Sequence, residues 1–289
     1  MMPIGGRCIL AVAGQSETFP KQILMPEHHY LFLDGGYLRA RHSETITGVF
    51  GQTCPLDLSS IRDLKPGSQF HRVFYYDCLH DIPKVGETED QLQKRVSEQQ
   101  TYFDKLQSFE GFHVRLGSLS GTSRKFRQKE VDILLAVDAL EHAFRKNLSA
   151  ITLFAGDLDF VPLVDSLVRS GTWVEIFYDK RSFAQRLLDS ADKAIAFEFH
   201  TYYGLCDKEF RRTNPLPSLR KGRAYDPIAD GYRLEREGTC NGQPVGHYAR
   251  PDEHMLYMPE GADAHVMIHV DPVVLENYFG LRFAPITWA

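Results

Sequence analysis

Four aspartates stand at positions from which their carboxylates can act together on one substrate. Asp34 ends the apolar run HYLFLD, and Asp157 and Asp159 follow the apolar run AITLFA. Asp132 lies in the first turn of a predicted helix. Carboxylate oxygens are the preferred ligands of Mg²⁺ and Mn²⁺. A cation bound in this way can activate water and stabilise the leaving oxygen of a phosphodiester. The set therefore predicts a catalytic metal site for phosphodiester hydrolysis.

Three of the four aspartates also have a structural interpretation. Asp34 is followed by two glycines and can serve as a turn residue. Asp132 can be a solvated acid favoured by the helix dipole. Asp159 can be the N-cap of the helix that follows it. Asp157 is harder to explain by structure alone, because it follows a fully apolar run and precedes another acid by two residues.

The elements that must position these acids alternate along the chain. Short apolar runs predict strands, and longer amphipathic segments predict helices between them. Parallel strands need such crossovers, so we expect an α/β domain in which a parallel sheet binds ligands at its carboxyl edge. The predicted strands are His29–Asp34, His71–Asp77, Phe112–Leu116, Ala150–Ala155, Trp173–Tyr178 and a short Ala194–Glu198. One predicted helix begins within Tyr37–Glu44. The other predicted helices cover Glu87–Phe109, Lys129–Lys146, Asp159–Ser170 and Phe183–Ser190, and Gly117–Gln128 is predicted to be a loop.

The alternation of predicted strands and helices also indicates the domain boundaries. Residues 1–26 are expected to be an N-terminal extension, because their longest apolar stretch is too short for a signal peptide. Residues 27–200 hold the alternating pattern, and residues 201–217, which include NPLP at 214–217, are expected to form a linker. Residues 218–289 lose the helical rhythm and predict a small, strand-rich accessory unit.

Three motifs give the chain a resemblance to a known family. The segments LFLDGGYL at 31–38, QKEVDILLAVD at 128–138 and GDLDFVPL at 156–163 resemble the NYN domain family, which includes LabA-like proteins and belongs to the PIN-like nuclease superfamily. The resemblance covers about residues 29–197. It implies a PIN-like, Rossmannoid three-layer fold with a central parallel sheet. It also implies that the family's metal ligands fall on Asp34, Asp132, Asp157 and Asp159.

A basic segment precedes the aspartate at 132. It combines four cations with one aromatic side chain, which suits a single strand that offers phosphates to cations and bases for stacking. A solvated surface loop is the alternative interpretation. Two arginines on the first predicted helix can assist in binding. The candidate nucleic-acid residues are Arg124, Lys125, Phe126, Arg127, Lys129, Arg39 and Arg41.

Composition narrows the class of protein. A net charge of −5 excludes a globally basic nucleic-acid binder but permits a local basic surface. No apolar run reaches the roughly 18 residues of a membrane span. The five cysteines include no CxxC pair, which favours free thiols in a reducing cytoplasm. Seven histidines show no metal-ligand spacing and are interpreted as structural: His71, His80, His113, His247, His254, His265 and His269.

Two functions follow from these observations. The first is a Mg²⁺- or Mn²⁺-dependent endonuclease whose expected substrate is single-stranded or structured RNA, with DNA as a further candidate. The second is a catalytically weak or inactive module that binds nucleic acid or a protein in regulation. The C-terminal unit is expected to select substrate, to form a homodimer or to bind a protein partner.

Overall fold

The first of two sheets forms the centre of the molecule. The computed structural model describes residues 28–64, 69–122, 125–129 and 131–289, and of these residues 118–122 and 125–129 are described by their backbone alone. In the central sheet the strand order is β4-β3-β2-β1-β5-β6-β7, and every neighbouring pair is parallel except β3 and β4. The strands are β1 (His29–Asp34), β2 (Arg72–Cys78), β3 (Phe112–Thr122), β4 (Lys125–Lys129), β5 (Ala150–Phe154), β6 (Trp173–Tyr178) and β7 (Lys193–Ala196).

Helices cover both faces of this sheet. Alternate residues of β1 point to opposite faces, so Leu31 and Leu33 join one apolar cluster while Tyr30 and Phe32 join another. The three-layer α/β fold expected from the sequence is therefore confirmed. No helix in the described part of the chain is both long and apolar enough to cross a membrane. The helices are α1 (Gly35–Phe50), α2 (Glu89–Gln107), α3 (Val131–Phe144), α4 (Val161–Arg169), α5 (Gln185–Asp189), α6 (Phe199–Gly204), α7 (Lys208–Thr213) and α8 (Pro272–Arg282).

The prediction of a loop at Gly117–Gln128 is wrong. Strand β3 runs on to Thr122, and β4 returns beside it as the antiparallel edge of the sheet. The segment has no apolar alternation because an edge strand needs only one neighbour for its backbone hydrogen bonds and tolerates charged side chains. The helix predicted from Lys129 accordingly begins two residues later, at Val131.

The second sheet has six antiparallel strands at the C-terminal end of the chain, as the strand-rich pattern predicts. Helices α6 and α7 connect the two sheets, and α8 packs between α1 and the strands β11 and β12. One apolar cluster runs from Leu31 and Ile46 through Leu275 and Phe279 to Met267, so the two sheets share a core. The strands are β8 (Ser218–Arg223), β9 (Arg233–Cys240), β10 (Gln243–Arg250), β11 (Glu253–Glu260), β12 (Asp263–His269) and β13 (Thr287–Trp288).

Candidate active site at the carboxyl edge of the parallel sheet

The strand order reverses between β1 and β5. From β1 the chain adds β2 and β3 on one side of the sheet, and then β5, β6 and β7 on the other. Such a switch point opens a crevice at the carboxyl edge, where ligands bind in sheets of this type. Asp34 is the last residue of β1. Leu33 pairs with Phe154, so Asp157 leaves the sheet beside Asp34, three residues beyond the end of β5.

The antiparallel pair β3 and β4 places Asp132 at the same edge. Cys78 at the end of β2 pairs with Gly117, and the next residue of β3, Ser118, pairs with Lys129. Strand β4 therefore ends where the parallel part of the sheet ends. Because α3 starts immediately afterwards, Asp132 in its first turn lies at the carboxyl edge. All four predicted aspartates are thus on one edge of the sheet.

Two of these aspartates shape the local backbone. Asp34 is the N-cap of α1, and its Oδ1 accepts a hydrogen bond from the backbone N–H of Tyr37 at 2.9 Å. Asp157 caps the 3-10 turn Leu158–Phe160, and its Oδ1 accepts from the N–H of Asp159 at 3.0 Å. The interpretation of Asp159 as an N-cap is wrong, because Asp157 takes that role and leaves the carboxylate of Asp159 exposed.

The charges of neighbouring acids contribute to the raised pKa values of Asp34 and Asp132. Burial, together with the negative charge of Asp132, raises the pKa of Asp34 to about 6 against the opposing effect of the hydrogen bond from Tyr37. Partial burial also raises the pKa of Asp132, and the charges of Asp157 and Asp159 add to this effect. Asp132 is thereby linked electrostatically to the other three. A cation at this edge would relieve the repulsion.

Asp77, at the end of β2, is a carboxylate of the same edge with a different environment. It is fully buried and forms an ion pair with Arg39. Its carboxylate also accepts hydrogen bonds from the hydroxyl of Tyr75 at 3.0 Å and from the N–H of Cys78 at 2.8 Å. Asp77 is therefore neutralised within the protein and ties α1 to β2.

Asp179 repeats this arrangement after β6. It is 2% exposed and accepts hydrogen bonds from the N–H and Nε of Arg181 at 2.8 and 2.9 Å. The hydroxyl of Tyr202 donates to it at 2.9 Å. Together these contacts hold the pKa of Asp179 below its usual value against the opposing effect of burial. The strand-end signal marks Asp77 and Asp179 in the sequence, but their arginine partners have no such signal.

Among the residues that the structure describes, no ion pair involves the four predicted ligands Asp34, Asp132, Asp157 and Asp159. Within the same residues, no three of these aspartates bring carboxylate oxygens within 4.8 Å of one another. The carboxyl edge thus carries a set of acids that have no ion-pair partner among the described residues. Their donor set, oxygen alone, suits a hard divalent cation.

A tyrosine positions the loops around these acids. The ring of Tyr37 lies over Gly156, where an added Cβ would come within 2.6–2.7 Å of the ring. The hydroxyl of Tyr37 donates to the carbonyl of Ser182 and accepts from the N–H of Asp179 at 3.2 Å. Tyr37 therefore joins the turns that follow β1, β5 and β6. Sequence reasoning missed this residue.

The predicted nucleic-acid residues fall into two groups. The guanidinium of Arg39 is paired with Asp77, and that of Arg41 lies 2.7 Å from Glu44. Both arginines of α1 are thus engaged within the protein. The basic segment lies mostly on β4, whose backbone places it beside the start of α3; Arg124 is outside the described residues, and Lys125, Phe126, Arg127 and Lys129 are described by their backbone alone.

The chain was also compared with known families, curated proteins and solved structures. Residues 72–198 match the NYN domain family. The match includes the two motifs that carry Asp132, Asp157 and Asp159, and it begins after Asp34. Among solved structures, a chain from Vibrio parahaemolyticus described as a protein of unknown function has 19% sequence identity and a TM-score of 0.44, over 60% of this chain and 94% of that chain. No curated protein has significant similarity to the sequence.

Proposed function

We propose that the chain, of which residues 72–198 match the NYN domain family, is a Mg²⁺- or Mn²⁺-dependent endonuclease that cleaves RNA. One observation supports this proposal above the others. Asp77 and Asp179, at the ends of β2 and β6, have arginine partners, whereas the four acids around the switch point have none among the described residues. Unpaired acids at a ligand-binding crevice are expected where a cation binds.

Each of the four aspartates has a proposed role in binding the cation. Asp34, Asp132, Asp157 and Asp159 would hold the cation, and Asp34, as the most buried, would fix its depth in the crevice. A bound divalent cation supplies Lewis-acid activation of water and neutralises the leaving oxygen. Asp34 must lose its proton before it can serve as a ligand, so activity should fall as the pH drops below about 6.

Strand β4 is the proposed path for the substrate. Successive residues of a strand alternate between its two faces, so positions 125, 127 and 129 share one face and bring three basic residues together. This strand leads directly into the turn that carries Asp132. Because Arg39 and Arg41 already pair with carboxylates of the protein, the phosphate contacts are assigned mainly to β4, and Phe126, at an alternate position of the strand, is not assigned to the same face.

A binding-only module is the second candidate function. It is favoured by the spacing of the acids, since no three of the four bring oxygens within 4.8 Å of one another in the described residues. In such a module the carboxyl edge would hold nucleic acid or a protein partner without hydrolysis.

Two measurements on the full chain separate the candidates. Mn²⁺ binding is measured by calorimetry, and cleavage of a labelled single-stranded RNA is followed with and without Mn²⁺. The endonuclease predicts saturable binding and metal-dependent products, both lost in Asp157→Asn and kept in Asp252→Asn, an exposed aspartate in a turn of the second sheet. RNA binding without metal-dependent cleavage would favour the second candidate.

A further inference from the structure

A second group of metal-ligating side chains differs from the acids in its donor atoms. His42 is on α1, Cys54 lies in the segment that follows α1, and Cys206 comes directly after α6. One ligand atom from each of the three lies within 4.8 Å of the others. The Sγ of Cys206 is 3.6 Å from the Nε2 of His42. The group combines two sulfur donors with one nitrogen donor.

The backbone holds these three residues together. Leu56, two residues after Cys54, forms an antiparallel bridge with Cys206. The N–H of Asp57 donates to the carbonyl of Leu205 at 2.7 Å. The segment that carries Cys54 is therefore fixed against the segment that carries Cys206 by main-chain contacts, which do not depend on the ligand side chains.

Burial sets the environment of the group. His42 is 2% exposed and Cys206 is fully buried, whereas Cys54 is half-buried. The two inner ligands lie in the apolar core, and the outer one borders solvent. A small ion and one water molecule can thus reach the group from the side of Cys54, while the rest of the coordination sphere is shielded.

The measured spacing fits a tetrahedral ion. With Zn–S near 2.3 Å and Zn–N near 2.0–2.1 Å, a tetrahedral zinc site separates a sulfur from a nitrogen ligand by about 3.6 Å. The Sγ of Cys206 and the Nε2 of His42 are 3.6 Å apart. These two ligands already stand at the separation that zinc requires.

We propose that His42, Cys54 and Cys206 bind one Zn²⁺ ion, with a water molecule in the fourth position. Sulfur and imidazole donors select zinc over Mg²⁺ and Mn²⁺, so this site is chemically distinct from the carboxylates at the sheet edge. The ion joins α1 to the segment that follows α6, and α6 leads towards the second sheet.

The test uses the full chain with its thiols reduced and its metals removed. Titration with Co²⁺ should give one equivalent of binding with a thiolate-to-cobalt charge-transfer band, and Zn²⁺ should displace that band. Cys54→Ser should weaken Co²⁺ binding at least about 100-fold, because a ligand contributes more than the 10–100-fold typical of its outer-shell partners. Cys54 is half-buried, so serine is accommodated there.

Matched variants make the result specific. Cys240→Ser removes a buried cysteine of the second sheet, whose Sγ donates a hydrogen bond to the carbonyl oxygen of Ala284. This variant should leave the band unchanged. Asp157→Asn should also keep the band, which separates this site from the proposed nuclease centre. His42→Gln should lose it, and melting curves verify that each variant is folded.

Two outcomes would overturn the proposal. The first is the absence of a charge-transfer band in the folded, fully reduced chain, or an equal band in Cys54→Ser. The second is that the parent binds no metal and loses two titratable thiols in glutathione buffer, whereas Cys54→Ser does not lose them. That result would assign Cys54 and Cys206 to a disulfide.

Discussion

Asp77 and Asp34 end neighbouring parallel strands, and Tyr76, the residue before Asp77, pairs with Asp34 in the sheet. Asp77 is fully buried and bonded to Arg39, whereas Asp34 has a backbone donor, a raised pKa and no ion pair within the described residues. The same residue type at nearly the same position therefore stabilises the fold in one strand and is left for a ligand in the other. The difference lies in whether an arginine reaches the carboxylate.

The largest expected effect tests the unpaired set. Asp157→Asn should reduce metal-dependent RNA cleavage about 1000-fold, since an amide is a poor ligand for a hard cation and loss of one group that stabilises charge in the transition state already costs 10²–10³. The fold should be kept, because asparagine caps a helical turn as well as aspartate does. Single-turnover cleavage of a labelled RNA gives the rate, and circular dichroism gives the fold. Equal rates for variant and parent would assign the cleavage to another site or a contaminant.

The next effect tests the paired set. Arg39→Met should lower the free energy of unfolding by about 3 kcal/mol, because it leaves the buried charge of Asp77 without a partner. Chemical denaturation at pH 7 measures the change. The double variant Arg39→Met with Asp77→Asn removes the charge as well and should regain much of the loss. If Arg39→Met were as stable as the parent, the distinction between paired and unpaired acids would fail.

A smaller effect tests the cost of leaving Asp34 unpaired. Its pKa is raised from 3.8 to about 6 in the folded state, so its ionisation opposes folding. In metal-free protein this destabilisation is absent below about pH 4, grows between pH 4 and 6 and is complete above pH 6. The pKa difference corresponds to about 3 kcal/mol, which solvent screening of the partly exposed Asp34 reduces to about 2 kcal/mol.

Asp34→Asn removes that dependence on pH. The metal-free variant should unfold at a higher denaturant concentration than the parent at pH 7.5, and the two should be equal near pH 4. Denaturation series at the two pH values provide the comparison. A variant that is less stable than the parent at pH 7.5 would mean that Asp34 is stabilised by a cation of the protein after all.

The smallest effect concerns the basic strand beside Asp132. Changing Lys125 and Arg127 together to alanine should flatten the salt dependence of RNA binding by about 1.4 log units per log unit of salt, since each phosphate contact on a single strand contributes about 0.7. Fluorescence anisotropy over a range of salt concentrations measures the slope. Mn²⁺ affinity should stay constant, because neither residue is a proposed ligand. An unchanged slope would mean that RNA binds along another surface of the protein.

Much of the fold follows from apolar patterning. The runs at His29–Asp34 and Trp173–Tyr178 predict β1 and β6 with the bounds that the structure has, because a strand buried on both faces is apolar throughout. Strand β4 was not predicted, since its residues are polar and its stability comes from pairing with β3. Patterning detects burial, and an edge strand is defined by its neighbour instead.

The site was predictable only in part, for a related reason. Strand ends are visible in the sequence, so the four aspartates could be placed on one edge. The partners that separate structural from unpaired acids come from elsewhere, such as Arg39 on the helix after the neighbouring strand. The His42, Cys54 and Cys206 group was equally hidden, because a segment beyond the last strand of the first sheet brings its third member back to α1.

The contact between Tyr37 and Gly156 has an evolutionary consequence. Any side chain at position 156 would collide with the aromatic ring of Tyr37, whose hydroxyl is held by Ser182 and Asp179. A larger residue at 156 therefore requires a smaller one at 37 in the same sequence. We expect the two positions to covary among relatives, with glycine kept at 156 wherever an aromatic residue occupies 37, although the two lie in separate motifs far apart in the chain.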